Sequence, residues 1–285
     1  MNSEISKNIT KLKTSSSWNG VVVNKWADIV FEPEELLKNP NKIFKSEKSN
    51  STILKNIQAA KGEVSIVVKK TAELKGIKRI VDFVRGSKAL RNFKFALVLK
   101  QKGIETAEPI AALWNHWQCN IYVTEFVAGS ENLYDIAFGR NAEINNNFST
   151  RKDVINEIAN LIANLHKAGF WHRDSKAGNF IVYKNGGKYK AKFVDLDGIK
   201  KNFISYNEKQ IRTLANLAKT LTRFKRVNLT DLYRGFKIYC QTMGIGSEEI
   251  RPLFGKVERE TVRLRLLTVL EEANKLKGVS KKHKN

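Results

Sequence analysis

The stretch from His172 to Gly198 constrains this chain more than any other. It opens with His172-Arg173-Asp174-Ser175-Lys176-Ala177-Gly178-Asn179, in which an aspartate and an asparagine stand five residues apart. Ahead of it, Val154, Ile155, Ile158, Leu161, Ile162 and Leu165 recur at the spacing of a half-buried helix, which Gly169 ends. After it, Phe180 to Tyr183 and Tyr189 to Asp195 read as two strands joined across Asn185-Gly186-Gly187, a strong hairpin signal. The second strand delivers Asp195-Leu196-Asp197-Gly198. His-Arg-Asp alone is a common tripeptide, and an aspartate at a strand end often does no more than shape the next turn. Helix, polar loop, hairpin and strand-end carboxylate in this order make the two polar motifs support each other.

The rest of the chain sets the frame around that stretch. Lys42 to Phe44, Thr52 to Ala59 and Glu63 to Lys70 read as strands of a meander. A helix follows over about Gly86 to Lys102, with Gly103 where a C-cap belongs, and then strands at Pro109 to Leu113 and Asn120 to Phe126. Gly129 and Ser130 open a more polar stretch, so a lobe boundary is expected near Ala128. This divides the chain into an N-terminal extension (1–41), a first lobe (42–128), a second lobe (129–277) and a basic tail (278–285). Residues 207–277 carry three helical patterns, and the Lys-rich end from Lys275 reads as solvated or loosely ordered.

Composition excludes some classes. Cys119 and Cys240 match no metal-ligand spacing and read as packed thiols of a reducing compartment. No segment approaches the roughly 18 consecutive apolar residues of a membrane span. The reading is a cytoplasmic protein, at most peripheral to a membrane. A net charge of +23 calls for an anionic partner, whether nucleic acid, an anionic membrane leaflet or a phosphorylated substrate. Nucleic acid has only the charge behind it, with no binding motif, and no nucleic-acid partner is expected.

His172 to Asn179 matches the catalytic loop of protein kinases, and Asp195-Leu196-Asp197-Gly198 stands in the place of their Asp-Phe-Gly. Phosphoryl transfer needs a group that positions and deprotonates the acceptor hydroxyl, and oxygen ligands that hold magnesium on the phosphates. Asp174 suits the first role, and Asn179 with Asp195 the second. Lys176 adds positive charge at the transferring phosphate. Asp197 is either a second metal ligand or a stabiliser of the turn at Gly198, and the turn is favoured. In the strand Ile66-Val67-Val68-Lys69, alternation puts Val67 and Lys69 on one face, for adenine and phosphates respectively, with Lys70 the rival by one residue. Thr124-Glu125-Phe126-Val127 resembles the hinge whose backbone binds adenine, through Glu125 and Val127, and Ile181 would close the other side of that pocket.

More narrowly, the chain resembles the bacterial lipopolysaccharide core kinases, which phosphorylate Kdo or heptose, over about Lys42 to Phe224. The likeness rests on Lys69, Ser87-Lys88-Ala89, the run Lys102-Gly103-Ile104-Glu105-Thr106-Ala107-Glu108-Pro109, the loop His172 to Asn179, and Phe193 to Gly198. It implies an α+β, bilobal protein-kinase-like fold, with an antiparallel N-lobe sheet plus one helix and a mainly helical C-lobe. It also implies ATP and Mg2+ as cofactors, a lipid-linked or small sugar acceptor, an anionic membrane surface at the inner face of the inner membrane, and a monomer. Like that family, the chain lacks a glycine-rich nucleotide loop, Lys45 to Ser51 having no glycine, and it lacks a long activation segment. A peptide needs that segment as a docking platform and a sugar does not. Asn92 departs from the kinase pattern, falling where the helix glutamate that pairs with the strand lysine would stand. The alternatives are a protein Ser/Thr/Tyr or small-molecule kinase, for instance of an aminoglycoside, and an inactive kinase-like module that binds a membrane or partner.

Overall fold

The computed structural model describes residues 8–14, 18–29, 31–47, 50–60, 62–72, 84, 86–115, 119–201 and 206–282. The chain forms two compact units, Met1–Ala128 and Gly129–Asn285.

The first unit runs β1 (Ile9–Lys13), β2 (Asn19–Val23), a short helix α1 (Pro33–Leu37), β3 (Lys42–Glu47), β4 (Asn50–Ala59), β5 (Gly62–Ala72), α2 (Lys88–Gln101), β6 (Pro109–Trp114) and β7 (Cys119–Glu125). Among the described residues these strands make one seven-stranded antiparallel sheet in the order β1-β2-β6-β7-β5-β4-β3. One face buries Ile53, Ile66, Val68, Ile121 and Val123 beneath Ile29, Phe31 and Leu36. The other packs Ala112 and Tyr122 against Ala89 and Phe93 of α2. Phe93 is wholly buried, worth about 2–3 kcal/mol by removal from water.

Helix α2 has both of its caps written in the sequence. Ser87 Oγ accepts the Leu90 N–H at 3.1 Å. Gly103 takes φ 70°, so that its N–H reaches the Lys100 carbonyl at 2.9 Å and the Ile104 N–H reaches that of Leu99 at 3.0 Å. That turn sends the chain into β6 and explains the Lys102-to-Pro109 run.

Residues 9–37 differ from the expected extension. They add two strands and a helix to the first unit, because Val21 and Val23 face α2 while Val22 enters the opposite core. The cover of the lower face, Ile29, Phe31 and Leu36, comes from the same segment.

The second unit runs β8 (Glu131–Asn132), α3 (Leu133–Phe138), α4 (Ala142–Asn146), α5 (Phe148–Lys167), β9 (Phe170–His172), β10 (Phe180–Asn185), β11 (Lys188–Phe193), β12 (Ile199–Lys201), α6 (Tyr206–Leu221), α7 (Leu229–Met243) and α8 (Ser247–Lys282). The stripe expected on α5 is its core face, with Val154, Ile158, Leu161, Ile162 and Leu165 buried. Gly186 and Gly187, at φ 56° and 78°, make the turn between β10 and β11. The three helical patterns become α6, α7 and α8, but α8 continues to Lys282 through the Lys-rich segment read as loosely ordered. Glu, Ala, Lys and Leu dominate residues 271–277, and these are strong helix formers. Cys119 and Cys240 are both buried and free. Burial pushes both thiols up, Cys240 to about 11, so neither is a poised nucleophile.

Candidate active site

His172, the last residue of β9, is fully buried and ties the polar loop to the Asp195 strand end. Its Nδ1 accepts the Asp174 N–H at 3.2 Å, so that nitrogen carries no proton, and Nε2–H donates to the Asp195 carbonyl at 3.1 Å. Burial holds the imidazole below its ordinary pKa, against the opposing pull of Asp195 and Asp174. The neutral ring rests on Phe193, centroids 5.8 Å apart, and Phe193 on Phe180 at 5.0 Å. Gly198 closes the other side. A Cβ there would lie 2.5 Å from the His172 ring, and the glycine carbonyl accepts the Arg173 N–H at 2.8 Å.

Helix α6 fixes the loop backbone through one polar edge. Thr213 Oγ1 accepts the His172 N–H at 3.2 Å, Asn216 Nδ2 donates to the Arg173 carbonyl at 2.8 Å, and Thr220 Oγ1 accepts the Ala177 N–H at 3.0 Å. The Ser175 hydroxyl donates to the Thr213 carbonyl. Positions i, i+3 and i+7 share one helix face, so a single helix sets the path of the whole loop. From the other side, Asn132 Nδ2 donates to the Gly178 carbonyl at 2.8 Å. The three α6 residues belong to no motif. Their one sequence trace is polar positions at helical spacing beside the apolar run Leu214, Leu217 and Leu221.

On this scaffold the loop side chains take different environments. Asn179 is buried, and its Nδ2 donates to the Asp174 carbonyl at 2.6 Å, which identifies Oδ1 as the amide's acceptor atom. The Val194 N–H donates to the Asn179 carbonyl at 3.1 Å, setting Asn179 beside the strand that ends in Asp195. Asp195 Oδ1 accepts the Asp197 N–H at 3.2 Å and shapes the turn toward Gly198. Asp174 and Lys176 form an ion pair at 2.9 Å, with side chains 53% and 51% exposed. A pair so exposed contributes at most about 1 kcal/mol, so an incoming phosphate or hydroxyl can separate it. Among the described residues no three His, Cys, Asp or Glu side chains gather to hold a metal alone. An amide oxygen and a carboxylate are the hard donors that magnesium takes together with water and phosphate oxygens, so Asn179 and Asp195 fit it.

The first unit orders its own candidates. Val67 and Lys69 share the sheet face of Tyr122, on which α2 packs, while Lys70 follows the parity of Ile66 and Val68 on the opposite face. Asn92 is buried on α2 beside Phe93. At the end of β7 the Glu125 N–H donates to the Glu108 carbonyl at 2.9 Å and the Phe126 N–H to that of Ser65 at 3.1 Å, with Val127 next. Val67, Lys69, Glu125 and Val127 thus belong to one unit. Asp174, Lys176, Asn179, Asp195 and Ile181, the last in β10, belong to the other.

Solved structures resemble this architecture. "WaaP in complex with acyl carrier protein" matches with a TM-score of 0.55 at 16% identity, over 82% of this chain and 92% of that one. The crystal structure of the BubR1 kinase domain matches with a TM-score of 0.50 at 10% identity, over 89% and 87%. At such identities the likeness shows the fold, which is protein-kinase-like. No curated protein matches in sequence. The model of the lipopolysaccharide kinase (Kdo/WaaP) family matches residues 81–236, a span that holds Asn92, Asp174, Asn179, Asp195 and the loop-holding edge of α6. A match over more than half of the chain makes this protein a member of the lipopolysaccharide kinase (Kdo/WaaP) family, and so a phosphotransferase.

Proposed function

We propose that the protein transfers the γ-phosphoryl group of ATP to a hydroxyl of Kdo or heptose in the lipopolysaccharide inner core. The observation that carries this reading is a half-exposed carboxylate, Asp174, on a loop whose backbone is held by His172, by α6 and by the Asp195 strand end. Asp174 orients the acceptor hydroxyl and takes its proton. Lys176, released from Asp174, faces the transferring phosphate. Asn179 and Asp195 hold magnesium, which when bound neutralises charge on the phosphate oxygens. In the first unit Lys69 holds phosphates, Val67 meets adenine, and the hinge backbone reads adenine through Glu125 and Val127, the Glu125 N–H being engaged with Glu108 and its carbonyl left for the base. Only residues 196–205 separate Asp195 from α6, a span too short to dock an extended peptide, which supports a sugar acceptor.

Mass spectrometry of lipid A–core from cells with and without the gene tests this function. The expected result is one phosphate missing from a core sugar in the deletion strain and restored by the wild-type gene. An unchanged core would refute it. An inactive module is the second reading, favoured by Asn92, whose neutral amide cannot give Lys69 an ion pair.

The strand register has its own check. Lys69→Ala is expected to lower turnover on the order of 10²-fold, as loss of one charged donor at a reacting phosphate does, with the melting temperature unchanged. Lys70→Ala should leave turnover near wild type. The reverse pattern would place the functional lysine on the other sheet face.

A further inference from the structure

Helix α8 is 36 residues long, roughly 54 Å, and it carries two apolar faces. The inner face packs on α6 and buries Ile250, Val257, Thr261 and Leu264. On the outer face Val262, Leu266, Val269 and Leu270 are 54%, 59%, 61% and 59% exposed. Their spacing of i, i+4, i+7 and i+8 draws them into one stripe, turned away from the Leu264 side. Leu267, beside the stripe, is 42% exposed. Val262 also lines an apolar cavity of about 300 Å3 together with Leu229, which is itself 60% exposed, so the stripe meets the cavity wall.

Ordinary solvation does not account for four large aliphatic side chains in one exposed row. Charge indicates what covers them. From Val262 to Lys282 the helix carries Arg263, Arg265, Lys275, Lys277, Lys281 and Lys282 against Glu271 and Glu272, in a chain of net charge +23. A long helix with an aliphatic face and a cationic balance fits the interface of an anionic bilayer, where the apolar row enters the acyl boundary and the cations meet phosphate headgroups. A second copy fits less well. The row spans barely more than one heptad of described side chains, where a coiled coil needs three or four, and two such helices would bring like charges together.

We propose that the outer face of α8, centred on Leu266, Val269 and Leu270, docks this protein onto an anionic lipid surface. The proposal deepens the functional reading and rests on its lipid-linked acceptor, which such docking would hold close to the second unit.

The test uses the full chain and vesicles of phosphatidylcholine alone or with phosphatidylglycerol, near physiological salt, where screening extends over about 8 Å. Wild type should sediment with the anionic vesicles. Leu266→Ser/Leu270→Ser keeps every charge and removes two exposed side chains, so its melting temperature should match wild type while its partitioning falls at least about tenfold. Equal partitioning of the two proteins overturns the proposal. A wild type that is dimeric, with a monomeric variant that still binds vesicles equally, also overturns it and assigns the stripe to a second copy. Phosphoryl transfer to a delipidated core sugar is followed in parallel and should be the same in both proteins. If neither protein phosphorylates the sugar while their vesicle binding still differs, the functional reading fails and the docking surface stands.

Discussion

Asp174→Asn should bind ATP as the wild type does, melt at the same temperature and transfer phosphate roughly 10² to 10⁴-fold more slowly, the contribution of a positioned general base. The loop does not depend on this carboxylate. Its fixed contacts here run through the backbone, with the Asp174 N–H on His172 and the carbonyl accepting from Asn179 Nδ2 at 2.6 Å and from the Lys176 N–H at 2.9 Å. Asparagine is nearly isosteric, and the ion pair it weakens is the exposed one with Lys176. What disappears is the carboxylate oxygen proposed to take the hydroxyl proton. Thermal shift with ATP, together with a rate on core sugar, separates the two effects. Full activity in this variant would remove Asp174 from the chemistry, whereas no transfer by either protein would leave the inactive-module reading in place.

Gly198→Ala should be nearly as damaging for a different reason. Its Cβ would sit 2.5 Å from two atoms of the His172 ring and 3.2 Å from the Asp174 nitrogen. The ring has nowhere to retreat, with a hydrogen bond at each nitrogen and Phe193 at its side. Either the Asp195 turn or the loop must move, at about 1–3 kcal/mol, which is several degrees in melting temperature for a chain of this size. Turnover should fall further than that loss of stability explains, because the ring is the link between Asp174 and Asp195. Gly178→Ala provides the comparison, since its Cβ would meet nothing within 4 Å. If both alanine variants behave like the wild type, His172 is not the wedge that sets the loop.

The parts of the fold that the sequence made legible are those fixed by local chemistry. The α5 stripe, the Asn-Gly-Gly turn and the Ser87 and Gly103 caps each depend on residues within one or two turns of one another. Alternation along β5 likewise separated Lys69 from Lys70 onto opposite faces. Strands β1 and β2 were missed, because Lys11 and Lys13 disguise the first and the second opens on Asn19-Gly20, a pair that reads as a turn. The α6 contacts were missed because they join residues more than 40 positions apart through single hydroxyl and amide groups, and polar spacing along α6 does not by itself say which loop it holds. Helix α8 was cut short for the opposite reason: its lysines carry helix propensity and tail-like composition at once.

Helix α6 turns two adjacent sides to different tasks. Thr213, Asn216 and Thr220 hold the His172-to-Asn179 loop, while Leu214, Leu217, Ala218 and Leu221 line the apolar cavity. A helix moves as one body, so a repacking of the cavity that rolls or slides α6 also carries the groups that grip the loop. Evolutionary drift inside this lobe is therefore not neutral by virtue of being remote: residues that never meet a nucleotide or a sugar share the selective fate of Asp174, and an exchange of bulk among the cavity leucines is free only when the axis of α6 stays where it is.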